Sequence, residues 1–239
     1  MLKIIATLSS LLITVLAQES TTASGTFNRI EAGSNVELAI IQDNTNKVDC
    51  FYNGQPITSD GIVTIENGTL KLSANQKNRI RAEVHVMEIS EVKLQKYALL
   101  SIQKLEQSEP IKIELGEKAV FSGKLKSPSV SIYADNGSVV NATLDSKDFV
   151  AMIGKDVRAR FAGNVKSTDL TAKSNSTVNA IAMRTERATI TTEGTANVRS
   201  NVSGQITAQL DPESRLTSSG KPIDRKPQMQ PEARVVFAN

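Results

Sequence analysis

The chain has 239 residues, with 28 basic and 25 acidic side chains, a formal net charge of +3, and only 4% aromatics with no Trp. That length suits one large β domain or two smaller ones, and so weak and mixed a charge argues against a nucleic-acid partner. One Cys and one His leave no intrachain disulfide and no transition-metal cluster.

The chain opens with a single Lys3 and an apolar run to Ala17, with Val15 and Ala17 at −3 and −1 of a cleavage site. Residues 1–17 read as a secretory signal peptide, because the run falls short of the ~20 residues a membrane span needs. No later segment reads as a transmembrane helix. Residues 18–26 are a polar, flexible lead-in. Residues 27–80 read as an N-terminal β region. Strands at Val36–Ile41, Lys47–Tyr52, Ile62–Ile65 and Thr69–Leu72 are separated by turn chemistry that includes Asn53-Gly54 and Asn67-Gly68. Spacings near ten residues there predict a small β-meander or sandwich.

From residue 81 to 220 a different rhythm takes over. Ile113, Ile132, Ala151, Ala172 and Ile190 stand 19, 19, 21 and 18 apart. A second column, Ala119, Val139, Val157, Val178 and Ala196, and a third, Leu125, Leu144, Val165 and Met183, keep step with it. A period near 20 is the mark of stacked coils, each burying its face against its neighbours. Leucine-rich and calcium-binding nonapeptide patterns are absent, so the expectation is all-β, a parallel β-helix or solenoid. Its first coil starts at Val92–Leu94, Gln103–Pro110 is a charged turn, and Val202 and Ile206 supply a last, irregular coil. Residues 221–239, with Pro222, Pro227 and Pro231, read as an extended C-terminal tail in which Val235–Phe237 adds an edge strand or cap. In the rungs, Lys112, Glu114, Ser131, Tyr133, Thr171, Lys173, Thr189 and Thr191 alternate outward, and Val150 and Met152 join Tyr133 as an apolar spot.

The search for chemistry returns no catalytic, cofactor-binding or metal residues, and the binding residues stay unassigned. Asp135, Asp145, Asp148, Asp156 and Asp169 fall in different phases of the repeat, where acid and base would share a column. Turn Asp side chains usually bond local backbone amides. Cys50 reads as buried in preference to a thiol available for a dimer, and His85 as an outward residue of a strand. The glycines of Gly116-Glu-Lys and Gly154-Lys-Asp read as turn glycines outside any phosphate loop. Arg158, Arg160, Lys166, Arg184, Arg187 and Arg199 could form a stripe for acidic glycans, but the interspersed acids favour an ordinary solvated face. The five sequons at Asn67, Asn136, Asn141, Asn175 and Asn201 read as turn residues of a bacterial chain.

Phe27-x-x-Ile30, Gly33-Ser-Asn-Val-Glu-Leu38, Val63-x-x-x-Asn-Gly-x-Leu-x-Leu72, the rungs and Ser218-Ser-Gly-Lys-Pro222 together resemble the bacterial auto-transporter adhesin head GIN domain family. The resemblance covers Phe27 to Pro222. It implies a right-handed β-helix-like fold, export in a Bacteroidetes-type bacterium and no known active site. This chain lacks both a lipoprotein Cys at the cleavage site and a translocator barrel. The reading is therefore an exported, non-enzymatic adhesin or binding module in the periplasm, at the outer-membrane surface or outside the cell. Its expected partners are glycans or envelope and host surface proteins, with homo-oligomers and no cofactor. The alternatives are a polysaccharide lyase or hydrolase and a self-assembling structural envelope protein.

Overall fold

The computed structural model describes residues 23–74 and 79–237. Among them there is no helix, and nineteen strands join in one continuous sheet wound into about eight coils. The expected signal peptide, residues 1–17, lies outside the described residues. Of the lead-in, Ala23 and Ser24 form β1, which pairs antiparallel with Val48 and Lys47.

The regular part is built from β11 (Ile111–Leu115), β12 (Val120–Ala134), β13 (Val139–Ile153), β14 (Arg158–Ala172), β15 (Thr177–Thr192) and β16 (Asn197–Leu210). Each pairs in parallel with the next, which stacks identical faces and gives each buried column one continuous apolar seam. The register corrects the columns read from sequence. Ala151 pairs with Leu170, not Ala172, so the seam runs Ile113, Ile132, Ala151, Leu170, Ile190, Ala208. The Leu125–Leu144 column holds, but its next member is Gly163 rather than Val165, and Met183 follows. Gly163 has φ +103°, and a Cβ there would sit 2.0 Å from the Leu144 carbonyl oxygen. No side chain fits, so the seam is interrupted and Val165 enters the core two residues later.

Coils close through β-turns in which the third residue has positive φ: Asn35, Tyr97, Lys118, Gly137, Asp156, Asn175, Glu213 and Glu232 occupy equivalent corners. The residue after most of these corners is small and buried, giving Ala98, Ala119, Ser138, Ser176, Ser214 and Ala233, with Val36 and Val157 the larger exceptions. A chain that reverses this sharply brings its next Cβ into the narrow interior, where a branched side chain has little room. Ala119, Val157 and Ala196 share this column as the spacing predicts, but Ser138 holds the place expected for the half-buried Val139, and Ser176 the place expected for Val178, which is buried in the column of Ala159. The Ser138 and Ser176 hydroxyls are buried without a hydrogen-bond partner. Phe121, Phe149 and Phe161 are the large side chains of the stack, and the last two meet edge to face at 4.9 Å.

The N-terminal region is meander-like in part and coiled in part. Lys47–Tyr52 (β4) and Gln55–Ile57 (β5) form one hairpin, and Val63–Glu66 (β6) and Thr69–Leu72 (β7) form another. Arg29–Ala32 (β2) and Val36–Gln42 (β3), however, make a coil of the solenoid. β2 lies in parallel between β7 and Glu91–Leu94 (β9), and β3 between Ile80–Val86 (β8) and Leu99–Glu106 (β10). The first strands in sequence thus occupy the second coil in space, and Val92–Leu94 belongs to the third coil rather than the first. Gln42 pins this arrangement: its amide donates to the carbonyls of Met87 and Glu106 and accepts the Glu106 N–H at 2.9 Å. The predicted charged turn at Gln103–Pro110 is shorter, because the strand runs on to Glu106.

At the other end the segment expected as a tail continues the stack. Arg215–Ser219 (β17) and Asp224–Met229 (β18) lie in parallel on β16, and Arg234–Phe237 (β19) lies on β17. Among the described residues the outer edges of β18 and β19 pair with no strand.

Candidate functional site

Each long strand bends after its first few residues, and the stacked bends open a groove along the solenoid axis. Its cavity is about 800 Å³, crossing five coils at residues 101–103, 122–124, 141–143, 160–162 and 179–182. With coils ~4.8 Å apart, five of them span roughly 19 Å. The floor is low because Gly123 and Ala142 lie there, and the groove widens on one side where Ala162 and Ala182 continue the Lys124–Thr143 column. Gly123 is needed, since a Cβ would meet the Phe121 ring at 2.8 Å and Ile102 at 2.9 Å.

One wall is a single register column, Ser101, Ser122, Asn141, Arg160 and Asn179, continued beyond the groove by Arg199 and Thr217. The other wall carries Gln103, Lys124 and Thr143. Polar groups therefore repeat at coil spacing along the whole of one side and over the first three coils of the other, while no carboxylate lines the groove. Lys124 and Arg160 have no ion-pair partner among the described residues. The sheet after the bend is different in kind. There Lys112 lies 3.2 Å from Glu91 and also pairs with Glu114, and Lys173 pairs with Glu193 at 3.2 Å. The Glu114 and Glu91 carboxylates hold the Lys112 ammonium above its ordinary pKa.

The groups singled out by sequence scatter widely. His85 lies in the N-terminal part of the sheet, away from the groove lining. It is less outward than expected, because β4 covers it, and its Nδ1 bonds the Asp43 carboxylate. Asp43 also accepts the backbone and hydroxyl of Thr45, at 2.7 and 2.6 Å. These bonds, Thr45 first and His85 next, draw the Asp43 carboxyl down to about 2. Cys50 is 2% exposed, and burial beside Asp49 pushes its thiol up to about 11, which keeps it protonated and unreactive. Asp135 accepts the backbone N–H groups of Asn136 and Lys155, as a turn Asp should. A Cβ on Gly154 would sit 2.1 Å from that carboxylate, which explains the turn glycine.

Asn67, Asn136 and Asn175 do occupy positive-φ turn positions. Asn141 instead lies in the groove wall, and Asn201 lies in β16, donating to the Ile181 carbonyl. Arg158, Arg160 and Arg199 share one face. Lys166, Arg184 and Arg187 lie past the bend, where Arg187 pairs with Glu186. Ser122, Thr143, Asn179 and Lys124 were not singled out. A signal existed, since Ser122, Asn141, Arg160 and Asn179 stand 19 residues apart.

Among the described residues no group of three or more His, Cys, Asp and Glu could hold a metal. No helix among them is long and apolar enough to cross a membrane, which says nothing of a β-barrel.

Residues 26–222 match a family described as "Putative auto-transporter adhesin, head GIN domain". No curated protein matches the sequence. Several solved structures share the fold. One, described as a putative adhesin from Parabacteroides merdae, has a TM-score of 0.78 at 11% identity, covering 92% of this chain and 95% of its own. A second, described as a putative lipid binding protein from Parabacteroides distasonis, scores 0.76 at 10% identity, covering 92% and 98%. A third, described as a putative adhesin from Bacteroides fragilis, scores 0.60 at 13% identity, covering 91% and 96%. At such low identity these likenesses bear on the fold alone.

Proposed function

The chain belongs to the auto-transporter adhesin head GIN domain family, and from that premise we propose that it is an exported, non-enzymatic binding module of the bacterial cell envelope. It holds an extended polymer, a glycan chain or a segment of a surface protein, along the groove of the solenoid. The observation that carries this reading is the groove itself, about 800 Å³ and five coils long, with hydroxyl, amide and cationic groups repeated along one wall and over three coils of the other. A site built by translation suits a ligand that also repeats by translation, because each added unit meets the same contacts. The lack of a carboxylate in the lining, with the single His held in the N-terminal strands, supports binding over hydrolysis or elimination.

The test uses the purified chain against surface polysaccharides and glycoproteins, scoring both depletion of protein and release of reducing or unsaturated ends. Binding without product is expected, with loss on Thr143→Trp or Ala182→Trp, which fill the groove from exposed positions. Product release would overturn the non-enzymatic reading. One solved neighbour is described as lipid binding, so vesicles belong in the panel. Self-assembly is the second reading. It rests on the unpaired outer edges of β18 and β19 and on Ile223, 91% exposed, with Met229 and Val236 half-exposed nearby. Oligomers that grow with concentration, without ligand, would favour it.

A further inference from the structure

Charges that look evenly mixed along the sequence are sorted in space. The leading segments of β12 to β17, together with β19, stack into one face: Val120–Lys124, Val139–Thr143, Arg158–Ala162, Thr177–Ile181, Asn197–Asn201, Arg215–Ser219 and Arg234–Phe237. These seven segments contain no Asp or Glu, and they carry Lys124, Arg158, Arg160, Arg199, Arg215 and Arg234, all exposed. None of the six is in an ion pair among the described residues. The acids of the neighbouring sequence lie past the bend (Asp145, Asp148, Asp169) or at the turns (Asp156, Glu213, Glu232), where Glu213 and Glu232 line one hollow with Arg215 and Arg234 at the C-terminal end of the face. The period causes the sorting: a residue kept at one phase of a 19-residue coil returns to one face.

We propose that this face binds an acidic linear polysaccharide, one carrying carboxylate or sulfate groups, lying in the groove and continuing past it toward the C-terminal coils. This rests on the binding-module reading and names its ligand class. Arg158 and Arg160 point outward two residues apart on one strand, ~7 Å, and Arg160 and Arg199 share a column two coils apart, ~10 Å. These spacings are within about one Debye length at 0.1 M salt, so a polyanion meets the cations as a set. Arg also offers a planar fork of donors that matches a carboxylate or sulfate. Between the cations, Ser122, Asn141, Thr143 and Asn179 supply the donors and acceptors that sugar hydroxyls need. A bilayer would want several inserted apolar side chains, yet Val120 and Val139 are half-buried in the sheet and Val236, in the last coil, is a single half-exposed valine. Single-stranded nucleic acid would want exposed rings for stacking, and the only ring in the groove lining, Phe161, is buried.

The experiment measures binding of the full chain to polygalacturonate and alginate, with dextran, phosphatidylglycerol vesicles and oligothymidylate alongside. The variants are R158E/R160E/R199E, the milder R158A/R160A/R199A, and a control of equal charge change on other surfaces, K93E/K147E/K155E. The expected result is binding to the acidic polysaccharides that weakens as salt rises past about 0.1 M. Both arginine variants should lose at least about tenfold in affinity, the control far less, with circular dichroism unchanged. Equal loss in the control would overturn the assignment to this face. Equal or tighter binding of vesicles or oligothymidylate would overturn the ligand class. Dextran bound as well as alginate, and insensitive to the arginine variants, would overturn the acidic preference and leave the binding module standing. Binding of no polysaccharide, glycoprotein or vesicle at all would overturn both.

Discussion

Up to Glu106 the coils do not follow chain order, whereas from Ile111 onward each coil lies on the one before it. In the first region β2 and β3 are clamped between strands that come later in sequence, and antiparallel hairpins close that end of the stack. In the second, strand partners stand 17 to 20 residues apart, and the last strands leave their outer edges unpaired. The first region should therefore lose and gain structure as a unit, while the second can fray coil by coil from its C-terminal end.

The largest expected effect tests the regular stack. Gly163→Ala places a methyl against the Leu144 carbonyl at a φ that L residues rarely adopt. It should cost about 3 kcal/mol or more, visible as a lower thermal midpoint. A cost below about 1 kcal/mol would mean that coil can shift its register freely.

Next comes a matched pair of leucines, both 0% exposed. Leu38→Ala, in the clamped coil, should cost about 3 kcal/mol and lower the global midpoint. Leu216→Ala, in β17, should mainly speed amide exchange in β17 and β19 and move the midpoint less. Equal midpoint shifts would sink the distinction between clamped and fraying ends.

A smaller effect, of opposite sign, comes from the corners. Glu213 holds φ +64° and Asn35 φ +63° at equivalent turns. Glu213→Gly should stabilise by about 0.5 kcal/mol, the relief of left-handed strain less the extra chain entropy of Gly. Asn35→Gly should gain less, because Asn tolerates that conformation. Denaturant midpoints would rank the two.

The smallest effect is confined to acid. The folded-state pKa of Asp43, about 2, lies below its ordinary 3.8. Its contribution is therefore complete above about pH 4 and is lost as pH falls toward 2. Asp43→Asn should remove that part of the acid sensitivity from amides in β4 and β8 and leave the C-terminal coils unchanged. Exchange measured at pH 4 and pH 2.5 would show it, and an unchanged difference in the variant would refute it.

Much of the fold could be read from residues. Ile113, Ile132, Ala151 and Ile190 reported the coil period because a parallel stack repeats one environment at one phase. The pattern misled at Ala172 and Val165, because a two-residue slip keeps the inward parity of a strand and leaves the alternation intact. Polar members of a buried column, such as Ser138 and Ser176, were passed over because an apolar search skips them. The groove was legible only in fragments. Arg160 and Asn141 attracted notice separately, as a basic residue and a sequon, although they are neighbours in one ladder.

The sequence by itself determined that the chain is all-β, stacked at about 20 residues, with small and β-branched interiors, because alternation and period are local properties of a strand in a repeated environment. The tertiary structure decided that β2 and β3 slot between later strands, that residues after Lys221 continue the coils, and that six cations stack on strand segments that carry no acid. Those facts depend on which strands meet and in what register. Register is settled by the packing of whole coils rather than by any single stretch of the chain.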